Sequence, residues 1–278
     1  MRCLAVTEPG GGSDILTPAT RARRVGGGGS SGGDWVLDGE KCFVSNAHEA
    51  DFVFVFARLD QDGPTSETGI FIVDAGTPGL IIGPPQPGLG SDLLADVRLD
   101  GVRLPPEALL GPAEPMATGA GSHRAWMAAA LARGRVVVAA VCDGMAALAL
   151  DLGIEFVRTR RSLGSPLGAH QHVQEHIVSS RLRLETSRLL TFTAAQAAGA
   201  APGTPASAGA TELAAMAKLA ASEGACETVD RMLQVHGAAA WVRGHPVEYL
   251  HRQVRGMRLV EGTSEIQKVI LAEAEGLW

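Results

Sequence analysis

The sequence predicts an α+β protein, in which a β-barrel or β-sandwich domain of residues 1–115 precedes an antiparallel four-helix bundle of residues 116–278. Short runs rich in β-branched and aromatic residues, separated by glycine and proline, fill the first third of the chain. From Ser122 onward, apolar residues recur at helical spacing over long segments. The 278 residues are enough for two domains, each with its own hydrophobic core.

The β-domain begins with two predicted hairpins. In residues 35–45, the dipeptide Asp38-Gly39 separates two β-rich halves, which is typical of a type I′ turn, and Asp100-Gly101 repeats the pattern. Two further strands are predicted at residues 51–58 and 69–74. Residues 26–33 are a low-complexity, glycine-rich segment and are predicted to form a surface loop. The end of the domain is marked by Pro105, Pro106 and Pro112.

The second domain is predicted to be helical throughout. Its candidate helices cover residues 122–161, 170–198, 211–236, 246–258 and 264–276, with a linker at residues 199–208. The longest apolar stretch, residues 136–150, contains Asp143, so we do not predict a transmembrane helix.

Composition excludes several classes of protein. The net charge of −6 and the absence of basic runs argue against nucleic-acid binding. The four cysteines have no CxxC spacing, and no signal peptide is visible, so we expect a cytoplasmic protein without a metal site. His172 and His176 are four residues apart on a predicted helix, but no further ligand completes a metal set, and surface histidines explain them better.

Residues 258–267 contain a candidate catalytic carboxylate. Glu261 follows two apolar residues and precedes Gly262, and Ser264 and Gln267 have the spacing of a capping box ahead of an apolar run. We therefore expect Glu261 on a short loop just before a helix, where apolar neighbours would raise its pKa and suit a general base. From this segment alone, an ordinary solvated glutamate is the better explanation.

A glycine-rich loop lies near the other end of the chain, at residues 6–14 (VTEPGGGSD). Its three glycines expose backbone N–H groups, and Thr7 and Ser13 add hydroxyl donors, so the loop could wrap an anionic or heteroaromatic cofactor. It is neither a dinucleotide-binding fingerprint nor a P-loop, and taken alone it is equally well explained as a plain turn.

Together, the two segments resemble the acyl-CoA dehydrogenase family, which carries a Thr-Glu-Pro-x-x-Gly-Ser-Asp loop followed much later by a Glu-Gly-Thr-Ser-Glu/Gln-Ile-Gln segment. Residues 35–46, 158–171, 234–238 and 246–252 resemble further segments of the family in the same order. Leu163, Ala238 and Val260 depart from the residues usual in the family. The resemblance covers essentially the whole chain, and several spaced motifs in order are a specific indication.

The resemblance implies an FAD-dependent α,β-dehydrogenation of an acyl-CoA or acyl-carrier-protein thioester. Glu261 would remove the Cα proton, and the Cβ hydride would pass to flavin N5. The family also begins with a helical domain that this sequence lacks. We therefore expect a misassigned start site, a fragment, or a domain supplied by a partner chain.

The resemblance also implies binding roles. Substrate contacts are expected from Ser13, Arg135 and Gly262. Cofactor contacts are expected from Val6, Thr7, Gly12, Ser13, Phe43, Val44, Ser45, Arg160, Gln171, Gln234, Val235, Gly237, Ala238, Thr263 and Glu265. Without the resemblance, Arg160 would be explained as an exposed arginine and Thr263 and Glu265 as helix-capping residues.

The same resemblance implies a homodimer or homotetramer, because residues such as Arg160 and Gln171 would reach the FAD of a neighbouring subunit. It also implies electron-transferring flavoprotein as the electron acceptor, and no membrane partner. An acyl-CoA oxidase and a non-catalytic partner subunit of a split enzyme stay open as alternatives.

Overall fold

The computed structural model describes residues 1–15, 17–26, 33–60, 67–111, 123–199 and 208–277, which form two compact units, Met1–Met127 and Ala128–Trp278. Each unit has its own hydrophobic core. The predicted domain boundary between residues 115 and 116, most of the loop at 26–33, most of the linker at 199–208, and Pro112 lie outside the described residues.

The first unit is a single curled sheet. Its strands are β1 (Arg2–Ala5), β2 (Arg21–Val25), β3 (Asp34–Ser45), β4 (Phe52–Asp60), β5 (Thr68–Asp74), β6 (Leu80–Ile82), β7 (Gln86–Pro87) and β8 (Leu93–Leu104). The strand order is β1-β4-β2-β3-β8-β6, with β5 paired to β4 and β7 paired to β8. Strands β1 and β2 run parallel to β4, and the other pairs are antiparallel.

The core of this unit lies against one face of the sheet. Trp35 and Phe71 are fully buried and meet edge to face, with their ring centroids 5.3 Å apart. This geometry is favourable for aromatic pairs beyond the area that they bury. The strands predicted at residues 51–58 and 69–74 are confirmed as β4 and β5.

Both predicted hairpins are wrong, because β3 and β8 are continuous strands of 12 residues each. The two Asp-Gly dipeptides instead face each other across the pair. Between the partners Leu37–Val102 and Gly39–Leu99, one residue of β3 opposes two residues of β8. The Asp38 carboxylate accepts a hydrogen bond of 2.8 Å from Gly101 N–H, so the dipeptides form a β-bulge rather than turns.

Six helices make up the described part of the second unit, the first of them starting a few residues before it: α1 (His123–Thr159), α2 (Gln171–Ala198), α3 (Ala208–His236), α4 (Ala238–Trp241), α5 (Pro246–Gly256) and α6 (Ser264–Ala274). A two-stranded hairpin of β9 (Arg161–Ser162) and β10 (Ser165–Pro166) connects α1 and α2. The five long helices confirm the predicted segments, whereas the sequence pattern did not predict the short α4.

Small and paired polar residues bring the long helices together. Gly153 of α1 packs directly against Met232 of α3. Buried Asp143 of α1 accepts hydrogen bonds of 2.5 and 2.7 Å from Ser187 and Thr191 of α2. Helix α1 is long and apolar enough to cross a membrane by length and composition, but core helices meet the same criterion, and Asp143 shows that its inner face packs in the bundle.

Candidate functional site

The loop between α5 and α6 carries Glu261 in an unusual backbone conformation. Glu261 has a φ of 55° and the next residue, Gly262, has a φ of 88°, so two consecutive residues lie in the left-handed region. Such a conformation costs about 1–3 kcal/mol for a residue other than glycine, and it persists where surrounding contacts impose it. The position of Glu261 just before a helix agrees with the sequence prediction.

The predicted capping box of Ser264 and Gln267 is wrong, because the helix begins one residue earlier than that box requires. The N-cap is Thr263, whose Oγ1 accepts a hydrogen bond from Ile266 N–H at 3.3 Å. Ser264 is the first residue of the helix rather than its N-cap, and its hydroxyl donates to Glu223 Oε1 at 2.6 Å. Gln267 is fully buried and turns back toward the loop rather than toward the helix N-terminus.

Three buried side chains from three helices donate to the two left-handed residues, and we name them the loop clamp. Arg135 Nε (α1) and Gln267 Nε2 (α6) donate to the Glu261 carbonyl at 3.2 and 3.1 Å. Lys218 Nζ (α3) and Gln267 Nε2 donate to the Gly262 carbonyl, both at 2.8 Å. The clamp therefore supplies the contacts that hold the strained loop.

The Glu261 carboxylate lies directly over Gly134 of α1. A Cβ atom on Gly134 would come within 2.5 Å of Glu261 Oε2, so a side chain there would displace the carboxylate from this position. Burial raises the pKa of Glu261, and the charges of Arg135 and Lys218 oppose that rise. The predicted direction of the pKa shift agrees, but the predicted cause does not. Val260, before it, is 43% exposed, so packing against α1 buries the carboxylate.

In the first unit, a buried ion pair ties the glycine-rich loop to β3. Lys41 is fully buried, and its Nζ lies 2.7 Å from Glu8 Oε1 and 3.1 Å from the Val6 carbonyl oxygen. Glu8 also accepts hydrogen bonds from the N–H groups of Ala19 and Thr20, at 2.6 and 2.9 Å. Burial would raise the pKa of Glu8, but the hydrogen bonds from Lys41, Thr20 and Ala19 outweigh it and lower the pKa to about 2.

This anchoring places the cofactor candidates of the loop and of β3 next to each other. Cys42 N–H donates to the Thr7 carbonyl at 2.8 Å, which joins the two segments directly. Phe43 is 61% exposed with a φ of 55°, Ser45 is exposed beside it, and Val44 between them is buried. Val6 and Thr7 are half-buried, and Gly12 and Ser13 are exposed. The first unit thus presents an aromatic ring and hydroxyl groups on two adjacent segments, the glycine-rich loop and β3.

The remaining candidates lie at three places in the second unit, each beside a helix end. Arg160 and Gln171 are exposed on either side of the β9–β10 hairpin, whose tip carries Leu163 at 91% exposure. Gln234, Gly237 and Ala238 are exposed where α3 ends, and Gly237 has a φ of 60°. Val235 is buried in the helical core. Thr263 is half-buried and Glu265 is exposed at the start of α6.

Two family models match the chain. The acyl-CoA dehydrogenase middle domain matches residues 3–102, and the acyl-CoA dehydrogenase C-terminal domain matches residues 123–276. The chain belongs to the acyl-CoA dehydrogenase family. Glu8 and Glu261 both lie within the matched ranges. So do the three residues of the loop clamp and Gly134.

Individual relatives agree with this family. The chain is 36% identical over 272 residues to the mitochondrial short-chain specific acyl-CoA dehydrogenase of Bos taurus, covering 97% of this chain and 61% of the relative. It is 34% identical over 280 residues to the (R)-benzylsuccinyl-CoA dehydrogenase of Thauera aromatica, with coverages of 97% and 63%. It thus spans about three fifths of the length of these curated relatives.

Solved structures agree as well. The butyryl-CoA dehydrogenase of Megasphaera elsdenii superposes with a TM-score of 0.86 at 27% identity, covering 99% of this chain and 68% of that one. The acyl-CoA dehydrogenase fold predicted from the sequence is therefore confirmed.

Several residues that shape the site of this acyl-CoA dehydrogenase family member carry no sequence motif. Lys218 and Gly134 contact the Glu261 loop, and Lys41 anchors the glycine-rich loop. One indication was available, because the chain has only three lysines and Lys218 interrupts an alanine-rich helix. In the described parts of the chain, no group of three or more His, Cys, Asp or Glu side chains is arranged to hold a metal ion.

Proposed function

We propose that this chain carries out the FAD-dependent α,β-dehydrogenation of an acyl-CoA or acyl-carrier-protein thioester, with Glu261 as the base. The observation that carries the proposal is the half-buried Glu261 carboxylate, held over Gly134 by a strained and clamped loop. A base of raised pKa in a partly desolvated position suits the removal of a weakly acidic Cα proton. The relatives named as acyl-CoA dehydrogenases support the same reaction class.

The residues of the first unit fit a flavin. Exposed Phe43 offers an aromatic face, and its backbone N–H donates to Asp96 Oδ1 at 3.4 Å. Val6, Thr7, Gly12, Ser13, Val44 and Ser45 supply backbone groups and hydroxyls for the same ligand. When bound, FAD accepts the hydride that leaves the substrate Cβ.

In the second unit, each residue of the Glu261 loop has a distinct proposed task. Glu261 takes the Cα proton, and the open backbone of Gly262 allows the thioester to approach. Arg135 supports both, because its Nε holds the Glu261 carbonyl while its charge stabilises the ionised carboxylate.

The proposal is tested by the visible spectrum of the purified protein during anaerobic titration with straight, branched and aromatic acyl-CoA thioesters. We expect a flavin absorption band that bleaches with at least one class of thioester. Two results would contradict the proposal. The protein could show no flavin band after reconstitution with FAD, or it could show a band that no thioester bleaches.

Oxygen consumption with the active thioester distinguishes a dehydrogenase from an acyl-CoA oxidase. We propose electron-transferring flavoprotein as the acceptor, and we therefore expect turnover with that acceptor and little turnover with oxygen alone.

We also propose that the chain forms a homo-oligomer through α2. Four exposed apolar residues lie on one face of this helix: Val178, Leu182, Leu189 and Phe192, which are 65–71% exposed. In an antiparallel pair of α2 helices, Val178 would face Phe192 of the second copy and Leu182 would face Leu189. Glu185 lies near the centre of this apolar stripe, where its carboxylate pairs with Arg181 and Arg188 of its own helix, both at 3.4 Å, so the centre of the stripe carries no unpaired carboxylate.

Introducing a charge into the apolar stripe should separate the copies. We expect Leu189→Glu to shift the protein to a smaller species in sedimentation velocity, because the carboxylate would be buried in an apolar contact. Val137→Glu is the matched control, since Val137 is 62% exposed on α1 and lies outside the stripe. An unchanged mass for Leu189→Glu would exclude this surface.

A further inference from the structure

Lys218 is a buried lysine that the proposed reaction does not yet use. The chain has only three lysines, and Lys218 is fully buried in the alanine-rich helix α3. Among the described residues, its Nζ donates one hydrogen bond, to the Gly262 carbonyl, and forms no ion pair. A buried ammonium without a compensating negative charge is costly, so a carboxylate close by has to balance it.

The charged groups around Lys218 single out Glu261 as that carboxylate. The groups that interact with its charge are Cys142, Arg135, Glu223, Glu261 and Glu265. Glu265 is exposed, so solvent screens its charge. Burial raises the pKa of the Cys142 thiol to about 12, so it is neutral at physiological pH. Glu223 is already committed, because it pairs with Arg258 at 2.6 Å and accepts the Ser264 hydroxyl. In the described structure Glu261 has no direct ion pair, and Arg135 and Lys218 are the two cations that act on it.

The contact that Lys218 makes also fixes the geometry of the loop. Gly262 is the second left-handed residue, and its carbonyl receives both Lys218 and Gln267. Loss of the ammonium would leave the Gly262 carbonyl with Gln267 alone, and the φ of 55° at Glu261 would lose one of its constraints.

We infer that Lys218 is a positioning residue for Glu261: its ammonium holds the Gly262 carbonyl, which fixes the strained loop, and its charge favours the ionised carboxylate. This inference rests on the proposed function, in which Glu261 is the base. Lys218 touches neither substrate nor cofactor in this role and acts only through Glu261.

The inference is tested by the titration of Glu261 in Lys218→Met, followed by infrared difference spectra of the carboxylate band against Glu261→Gln in the same background. An opposite charge close to a carboxyl lowers its pKa by about 1–3 units, so we expect the midpoint to rise by about one unit in the variant. The pH at which flavin reduction slows on the acid side should rise by the same amount. At pH values below the pKa of Glu261, the rate of the variant should therefore be about tenfold lower. Exposed Lys268 supplies the matched control, Lys268→Met, with neither change.

The two proposals fail in different ways. A folded Lys218→Met protein with an unchanged Glu261 titration overturns the inference, whatever its activity. Flavin reduction at the normal rate by Glu261→Gln overturns the proposed function, while the infrared titration still decides the effect of Lys218. If Lys218→Met does not fold, Lys218→Gln, which keeps a donor without the charge, takes its place. Failure of both to fold while Glu261→Gln folds assigns Lys218 to folding alone and overturns the inference.

Discussion

Replacing Glu261 with glutamine should slow flavin reduction by an acyl-CoA about 10²–10⁴-fold, which is the usual contribution of a positioned general base. Glutamine has nearly the same size, and the loop clamp holds the backbone carbonyls rather than the carboxylate. The loop should therefore keep its conformation, and the binding of FAD and thioester should change little. Stopped-flow absorbance at the flavin band measures the rate, and equilibrium titration measures the binding.

The same residue sets the expected pH dependence. The base has to be ionised, and burial raises the pKa of Glu261 above the ordinary value for glutamate. The reduction rate should consequently increase as the pH rises through this elevated pKa and fall on the acid side of it. The Glu261→Gln variant should lack this limb, because its side chain does not titrate.

The matched control for this substitution is Glu273→Gln, which removes an exposed carboxylate from the same helix, α6. We expect it to reduce flavin at the normal rate. Normal reduction by Glu261→Gln, or an equal loss in the control, would exclude Glu261 as the base.

The helical unit shows which parts of this fold a sequence determines locally. Helices α1, α2 and α3 were predictable because long runs of helix-forming residues without proline fill each of them. Helices α5 and α6 were predictable because their apolar residues recur on one face. The Asp-Gly dipeptides of β3 and β8 were misinterpreted for the opposite reason. An Asp-Gly pair favours a turn, but here each dipeptide faces the other across a strand pair, and the bulge depends on residues about 60 positions apart.

In the candidate site, too, features that depend on nearby residues were predictable and features that depend on distant residues were not. The place of Glu261 before a helix follows from nearby residues, so the sequence predicted it. The loop clamp does not, because Lys218 and Arg135 meet the loop from 44 and 126 positions away along the chain. The pKa shift of Glu261 shows the consequence. Its direction was predicted from the apolar flank, but that flank is exposed, and burial against α1 raises the pKa instead.

Replacing Lys41 with methionine should lower the free energy of unfolding of the first unit by about 3–5 kcal/mol, because removing one partner of a buried ion pair leaves the other charge uncompensated. The Lys41 side chain is fully buried and that of Glu8 is 11% exposed, so water cannot replace the lost partner. Urea unfolding followed by circular dichroism measures the change. Arg98→Met is the control. Its pair with Asp100 has side chains 64% and 59% exposed, and we expect less than about 1 kcal/mol.

The ion pair also predicts how stability depends on pH. The pKa of Glu8 is about 2 in the folded protein, below its ordinary value of 4.5. The carboxylate therefore binds its proton more readily in the unfolded chain, so its contribution to stability is complete above about pH 4.5 and is lost as the pH falls toward 2. In Lys41→Met, the pKa of Glu8 should rise and this acid-dependent loss should shrink.

A double substitution separates the ion pair from simple packing. If the cost in Lys41→Met comes from the uncompensated Glu8 carboxylate, then adding Glu8→Gln removes that charge and should recover part of the lost stability. Recovery should be incomplete, because Ala19 and Thr20 N–H would still lose a charged acceptor. If the two losses simply add, Lys41 stabilises the unit through its methylene packing, and the Lys41–Glu8 pair is not what anchors the glycine-rich loop to β3.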